Sequence, residues 1–320
     1  MTKRSARKSG TGIKSPTQEG NGLFRNLEVQ FEKVYRQAVK DTQGKVSIKT
    51  HFRYRDSMKK FLSFCATRFR LQNLRNISDK HLEAYIDYRR GNETSEKTIK
   101  GDLAAVRFFH RYIEGARFQL SGNEKFGLAS TPDGRADRAW SDGEYKKMIA
   151  LAERLDRPEV ALAMRLARYA GLRVHEITRL SRKDAEQALS AGMLHVKGKG
   201  GKERDIPLTT EAVAALKEAC EMAASENDKL LVPPGEKTHL VIKRIQNFIR
   251  RHRDKVMESG KEVNITFHGL RHAYAREQFR VKVGELKKIR RALAEVSEKL
   301  GHNRPEVTRI YLGSDWKGKR

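Results

Sequence analysis

Arg173, Lys199, His268, Arg271, His302 and Tyr311 are side chains that can bind a phosphate, move its protons or attack it. Gly171-Leu-Arg173 follows an apolar run, Val160 to Ala170, and Gly171 suits the position just past a helix end where the chain must turn. A new helix over Val174 to Leu180 would put Arg173 at its N-terminus, where backbone N–H groups and a guanidinium converge as an anion site requires. An ion pair with Glu176 is the alternative for this tripeptide. His268 and Arg271 are three residues apart, on one helical face, and can hold one phosphate between them; a core histidine beside a surface arginine is the alternative. Lys199 falls in a Gly/Lys turn, where an exposed charge is commonplace. Tyr311 follows His302 by nine residues, on a short helix begun by Pro305, and could equally be a buried structural phenol.

Other chemistries fit poorly. Gly198-Lys-Gly-Gly-Lys202 lacks the spacing and the hydroxyl of a phosphate loop, and Gly235-Glu-Lys-Thr238 lacks its Gly-Lys pair, so ATP use has no support. His268 and His272 have the spacing of a zinc-protease helix, but Gly269 stands where the glutamate should be. Cys65 and Cys220 are too few for a disulfide framework or a cysteine zinc site and read as buried thiols.

The elements that position these groups are mostly helical. Tyr54, Met58, Phe61 and Cys65 form one apolar stripe and Ile99, Leu103, Val106, Phe109 and Ile113 another. Ser78 reads as an N-cap ahead of Leu82, Tyr85 and Ile86, and Leu27, Phe31, Val34 and Val39 supply a further helix. A helical domain over residues 23–115 results, preceded by a disordered basic tail, 1–22, and followed by a Gly/Ser/Pro-marked linker, 116–138. A second domain, 139–320, opens on Ser141 and Glu144 at capping-box spacing. Within it Gly192 to Lys197 and Glu203 to Leu208 read as a β-hairpin. The fold class is therefore mainly α with one small hairpin.

With 67 Lys+Arg against 40 Asp+Glu in 320 residues, the net charge is +27 and the pI about 10.2. A polyanion is the partner such a charge fits, and nucleic acid leads a membrane surface. Arg53, Arg55, Lys59, Lys97, Lys100 and Arg107 stand at positions of the first domain suited to the DNA backbone. No apolar run is long enough for a membrane span and residues 1–20 lack a signal-peptide core, so a cytoplasmic, nucleoid-associated chain is the economical reading.

The strings GLRVHEITRL, VKGKGGKERDIPL, FHGLRHAYA and LGHNRPEVTRIYL, in that order, resemble the signature blocks of tyrosine site-specific recombinases, the phage integrase and Xer-type family. The resemblance covers about residues 139–311, and the helical region before it is similar to that family's SAM-like core-binding domain in length and character. It implies that Arg173, Arg271 and His302 bind the scissile phosphate and that Tyr311 attacks it to give a 3′-phosphotyrosine and a free 5′-hydroxyl. Lys199 would protonate the leaving oxygen, His268 would assist removal of the phenolic proton, and Glu176 would orient its neighbours. No metal or other cofactor is implied. The implied partners are double-stranded DNA attachment sites, a homotetramer assembled on DNA, and accessory directionality or DNA-bending proteins. The implied activity is that of an integrase or recombinase of a mobile element; a type IB topoisomerase and a DNA-binding relative without strand cleavage are the alternatives. Two departures stand out. Arg271 and His302 are 31 residues apart, with an apparent added basic helix around Lys282 to Arg291, and nine residues follow Tyr311, which puts tail exchange between protomers in doubt.

Overall fold

The apolar stripes of the first third are wound into four helices, α1 (Gln18–Asp41), α2 (Ile48–Phe69), α3 (Asp79–Gly91) and α4 (Glu96–His110). The computed structural model describes residues 18–128, 137–198, 201–261, 263–286, 288–302 and 305–317. Two compact units divide the chain, Met1–Thr131 and Pro132–Arg320.

In the first unit the caps come from serine. Ser47 accepts the Thr50 backbone N–H at 3.2 Å and Ser95 that of Thr98 at 3.3 Å, and the Ser78 backbone N–H donates to His81 Nδ1 at 3.1 Å. Leu27, Phe31, Met58, Phe61, Cys65, Leu82, Tyr85, Ile99, Leu103, Val106 and Phe109 meet in one core, as the stripes require. The one carboxylate inside it, Asp102, accepts from Ser57 Oγ at 2.7 Å and from the Tyr85 hydroxyl at 3.2 Å and pairs with Arg89 at 3.2 Å, so its burial is compensated. Helix α1 starts at Gln18, earlier than the apolar pattern suggests. Residues 116–128, which composition assigns to a linker, lie against this unit: Leu128 is buried, and Ser121 donates through its N–H to Asp79 at 2.9 Å.

The second unit runs α5 (Asp142–Arg154), α6 (Pro158–Tyr169), α7 (Val174–Ile177), α8 (Arg182–Ala191), β1 (Met193–Lys197), β2 (Glu203–Pro207), α9 (Thr210–Met222), α10 (Thr238–His252), α11 (Phe267–Leu286), α12 (Ile289–Lys299), α13 (Pro305–Leu312) and α14 (Ser314–Lys317). Ser141 and Glu144 exchange capping-box hydrogen bonds at 3.0 and 3.1 Å. Helix α6 is buried on nearly every side, from Val160 to Ala167, and forms the centre of the larger core. The antiparallel hairpin pairs Leu194 with Ile206 and Val196 with Arg204, and these four side chains face inward. A smaller core joins Phe279 of α11, Leu293 and Val296 of α12, and Tyr311 and Leu312 of α13.

Two expectations are corrected here. The helix read over Val174 to Leu180 closes after one turn at Ile177. The stretch from Lys282 to Arg291 does not form a helix of its own: α11 runs through its first half and α12 starts in its second. Lys282 is tied to Glu285 at 2.6 Å and to Glu295 at 3.6 Å, and Lys287 lies outside the described residues. Among the described residues no helix is long and apolar enough to cross a membrane.

Candidate active site

Just past the end of α6 stands Gly171, whose φ of +64° makes the turn that residues with a side chain resist; a Cβ there would lie 2.6 Å from Tyr274 Cε1. The turn delivers Arg173 as the N-cap of α7. Its backbone N–H donates to Glu176 Oε2 at 2.8 Å and its Nη1 to Oε1 at 2.9 Å. Glu176 is 2% exposed, and Arg204 of β2 grips both its oxygens, Nη1 to Oε1 at 3.0 Å and Nη2 to Oε2 at 2.8 Å. Burial alone would push this carboxyl up, but the Arg204 hydrogen bonds, the Arg173 N–H and both positive charges hold it at about 2. Arg204 Nε also donates to the Lys299 carbonyl at 3.0 Å, which ties hairpin, α7 and the end of α12 together.

Arg271 lies in the first turns of α11 and is 1% exposed. Nη1 donates to the Gly171 carbonyl and Nη2 to that of Leu300, so the guanidinium is aimed by backbone from two separate segments. Burial, reinforced by Arg173, lowers its pKa to about 10, and it stays charged at neutral pH. Gly269 lets the chain before α5 approach α11. A Cβ on Gly269 would meet the Arg138 carbonyl and come within 2.7 Å of Trp140 Cδ1, while Trp140 Nε1 donates to the Thr266 carbonyl at 2.8 Å.

Tyr311, 7% exposed, stands among three imidazoles. Its hydroxyl is 2.8 Å from His268 Nε2; the His272 ring stacks on the phenol at 4.0 Å and 3°, and the His302 ring meets it at 4.7 Å and 64°. Burial lowers all three histidines, His268 to about 4 and His272 and His302 to about 3, and the guanidiniums of Arg271 and Arg173 push His268 and His302 the same way. Neutral imidazoles result at pH about 7. A neutral His268 can accept the phenolic proton through Nε2. His302 meets Thr308 Oγ1 through Nδ1 at 2.8 Å, while its Nε2 and the Nε of Arg271 are buried without a hydrogen-bond partner among the described residues.

Of the residues singled out in the sequence, Arg173, His268, Arg271, His302 and Tyr311 are brought together. Lys199 lies outside the described residues. Its neighbour Gly198 donates to the Lys202 carbonyl at 2.6 Å, and a Cβ on Gly198 would lie 3.5 Å from Glu176 Oε1, so the hairpin end adjoins the Glu176 cluster. In the first unit Arg53 and Lys97 are exposed and Lys100 is half-buried. Arg55 pairs with Glu32, and Lys59 with Glu28 at 2.9 Å. Arg107 is directed inward, donating to the Ser121 carbonyl at 2.7 Å and to Asn123 Oδ1 at 2.8 Å, so its guanidinium holds the 116–128 segment instead of facing outward. Sequence reasoning passed over Arg204 and Thr308 and weighed His272 only as a zinc ligand. Arg204 is legible as the inward partner of Ile206 two residues along a strand, and His272 as one turn beyond His268.

Residues 141–317 match the phage integrase family and residues 41–115 the phage integrase N-terminal SAM-like domain, and the chain belongs to the phage integrase family. It is 33% identical over 148 residues to tyrosine recombinase XerC of Neisseria meningitidis serogroup C, a match covering 46% of this chain and 44% of the relative, so less than half of that relative's length is spanned. A longer match, 26% over 289 residues and 85% of each chain, is to tyrosine recombinase XerC of Rhizobium meliloti. Among solved structures, a lambda integrase dimer bound to a COC′ core site shares the fold at TM-score 0.63 and 18% identity, covering 98% of this chain and 84% of the other.

Proposed function

We propose that this protein cuts and rejoins double-stranded DNA at specific sites through a 3′-phosphotyrosine, as a cytoplasmic integrase or recombinase of a mobile element. The observation that carries the reading is the phenol of Tyr311, 2.8 Å from a neutral imidazole and grouped with two guanidiniums and an unpartnered His302 Nε2. Arg173, Arg271 and His302 hold the scissile phosphate and stabilise the charge that grows on its oxygens. The Tyr311 oxygen attacks phosphorus as its proton passes to His268 Nε2; the new P–O bond forms as the bond to the 5′-oxygen breaks. Lys199 supplies the proton to that leaving oxygen. The phosphodiester energy is retained in the adduct, so a 5′-hydroxyl reverses the step without ATP. Charge of +27 supplies affinity for the duplex backbone, with Arg53, Lys97 and Lys100 on the first unit as candidate contacts. Assembly as a tetramer on DNA is part of the proposal, supported by the fold shared with a solved lambda integrase tetramer bound to a Holliday junction.

The test is trapping on a library of nicked duplexes. The parent should yield a protein–DNA adduct that survives boiling in detergent and digests to a peptide containing Tyr311, and the captured strands should share a sequence. Tyr311→Phe should bind the recovered site but give no adduct. An adduct in that variant would mean another nucleophile, with Tyr274 the first to check. Relaxation of any supercoiled plasmid, regardless of sequence, would favour a topoisomerase.

A further inference from the structure

His302 carries a second feature that its phosphate role leaves unexplained. Thr308, three residues before Tyr311 on α13, is fully buried and sets Oγ1 2.8 Å from His302 Nδ1. Behind it, Ser297 of α12, 4% exposed, sets Oγ 2.6 Å from the same Thr308 oxygen. Two hydroxyls and an imidazole thus form a series whose far end, Nε2, is buried with no partner among the described residues.

A neutral imidazole has one N–H, and the hydrogen bond at one nitrogen decides what the other offers. The groups around this ring oppose a positive charge on it: Arg173 beside α7, Arg204 on β2, and Arg271 with His268 on α11 all push His302 toward its neutral form. Glu176 is the one carboxylate of the cluster and is already gripped by Arg204 and Arg173. Tyr311 meets the His302 ring at 4.7 Å and 64° and carries His272 stacked on its own ring. If His302 is to donate to a phosphate oxygen while neutral, its hydrogen must sit on Nε2 and Nδ1 must accept.

We infer that Thr308 is a positioning residue which, backed by Ser297, holds neutral His302 with its hydrogen on Nε2 while the scissile phosphate is bound. Ser297 donates to Thr308, Thr308 donates to Nδ1, and Nε2–H faces the phosphate. No bond is made or broken, and no net proton moves. The inference rests on the phosphate role of His302 proposed above.

The experiment compares full-length parent, Thr308→Val, Thr308→Ser and Ser297→Ala on a nicked duplex of the recovered site. Thr308→Val should form adduct roughly tenfold more slowly at neutral pH, the rate equivalent of about one hydrogen bond, with DNA affinity within about twofold. Thr308→Ser should stay near the parent, and Ser297→Ala should fall between. A Thr308→Val variant at parental rate, or a Thr308→Ser variant as slow as Thr308→Val, overturns the inference. The imidazole ¹⁵N shifts of His302 in the Tyr311→Phe complex with site DNA give a second readout that needs no cleavage. Hydrogen on Nε2 and none on Nδ1 supports the inference, and the reverse overturns it. A parent that forms no adduct fails the phosphotyrosine reading instead, and the nitrogen shifts then decide the tautomer by themselves.

Discussion

Replacing Glu176 by Gln keeps the outline of the side chain and removes its charge. In the parent the carboxylate is 2% exposed and receives Arg204 through both oxygens and Arg173 through side chain and backbone, at 2.8 to 3.0 Å. The fall from an ordinary 4.5 to about 2 corresponds to about 3 kcal/mol in favour of the ionised over the protonated form. Because the folded value is depressed, this stability is present above the unfolded value of 4.5 and is lost as pH falls through about 2. Glu176→Gln imitates the protonated form and leaves Arg204 buried without its counter-charge, so the second unit should lose about 3 kcal/mol at neutral pH. For a unit of this size that is a drop of roughly 6 to 12 °C in Tm. Scanning calorimetry of the full chain should show the transition of residues 132–320 move while that of residues 1–131 stays. The gap between parent and variant should narrow as the pH is lowered from 4.5 toward 2. A shift below about 2 °C at neutral pH, or a gap untouched by acid, would refute the claim that this carboxylate is held ionised by its arginines.

Lys199→Ala should slow adduct formation by roughly 100-fold, and a 5′-bridging sulfur substrate, whose leaving group needs no proton, should restore the rate; no rescue would reassign the lysine to binding. Gly269→Ala, whose methyl must displace the Trp140 ring or the Arg138 carbonyl, should cost about 1 to 3 kcal/mol in urea unfolding, and a cost under about 0.5 would contradict the close approach. His268, His272 and His302 stay neutral in the fold down to about 4, 3 and 3, while an unfolded chain protonates them near 6.5. Their depressed values mean that stability falls with acid, by about 4 kcal/mol per pH unit near pH 5 from these three alone. His272→Phe should reduce that slope by about a third, and an unchanged slope would argue that His272 titrates normally.

Helix periodicity made most of the fold legible, because a stripe such as Ile99, Leu103, Val106 and Phe109 has one way to become buried. The site residues were legible through the four signature strings in order, since each residue taken alone, Arg173 beside Glu176 or His268 before Arg271, has an inert alternative. What stayed hidden depends on partners distant in sequence. Nothing in the VHEI turn says that its glutamate will meet Arg204, 28 residues on. His272 shows only helical spacing until α13 lays Tyr311 flat against it. Arg107 has the exposed-face look of its neighbours, and only the fold-back of residues 116–128 turns it inward. The basic run from Lys282 to Arg291 misled for a related reason: it resembles one helix when the two helices that share it are not known.

Helix α13 is eight residues long and bears both Thr308 and Tyr311, one turn apart on the same buried side. Those two side chains cannot be moved separately by any rigid displacement of the helix. On the proposed mechanism, a shift that carries Tyr311 away from His268 and Thr308 away from His302 withdraws the attacking group and the support of a phosphate-binding group in one stroke. The arrangement would then be an interlock: a molecule whose α13 is out of place would lose two contributions to cleavage together, and its residual leakage would be the product of two small factors.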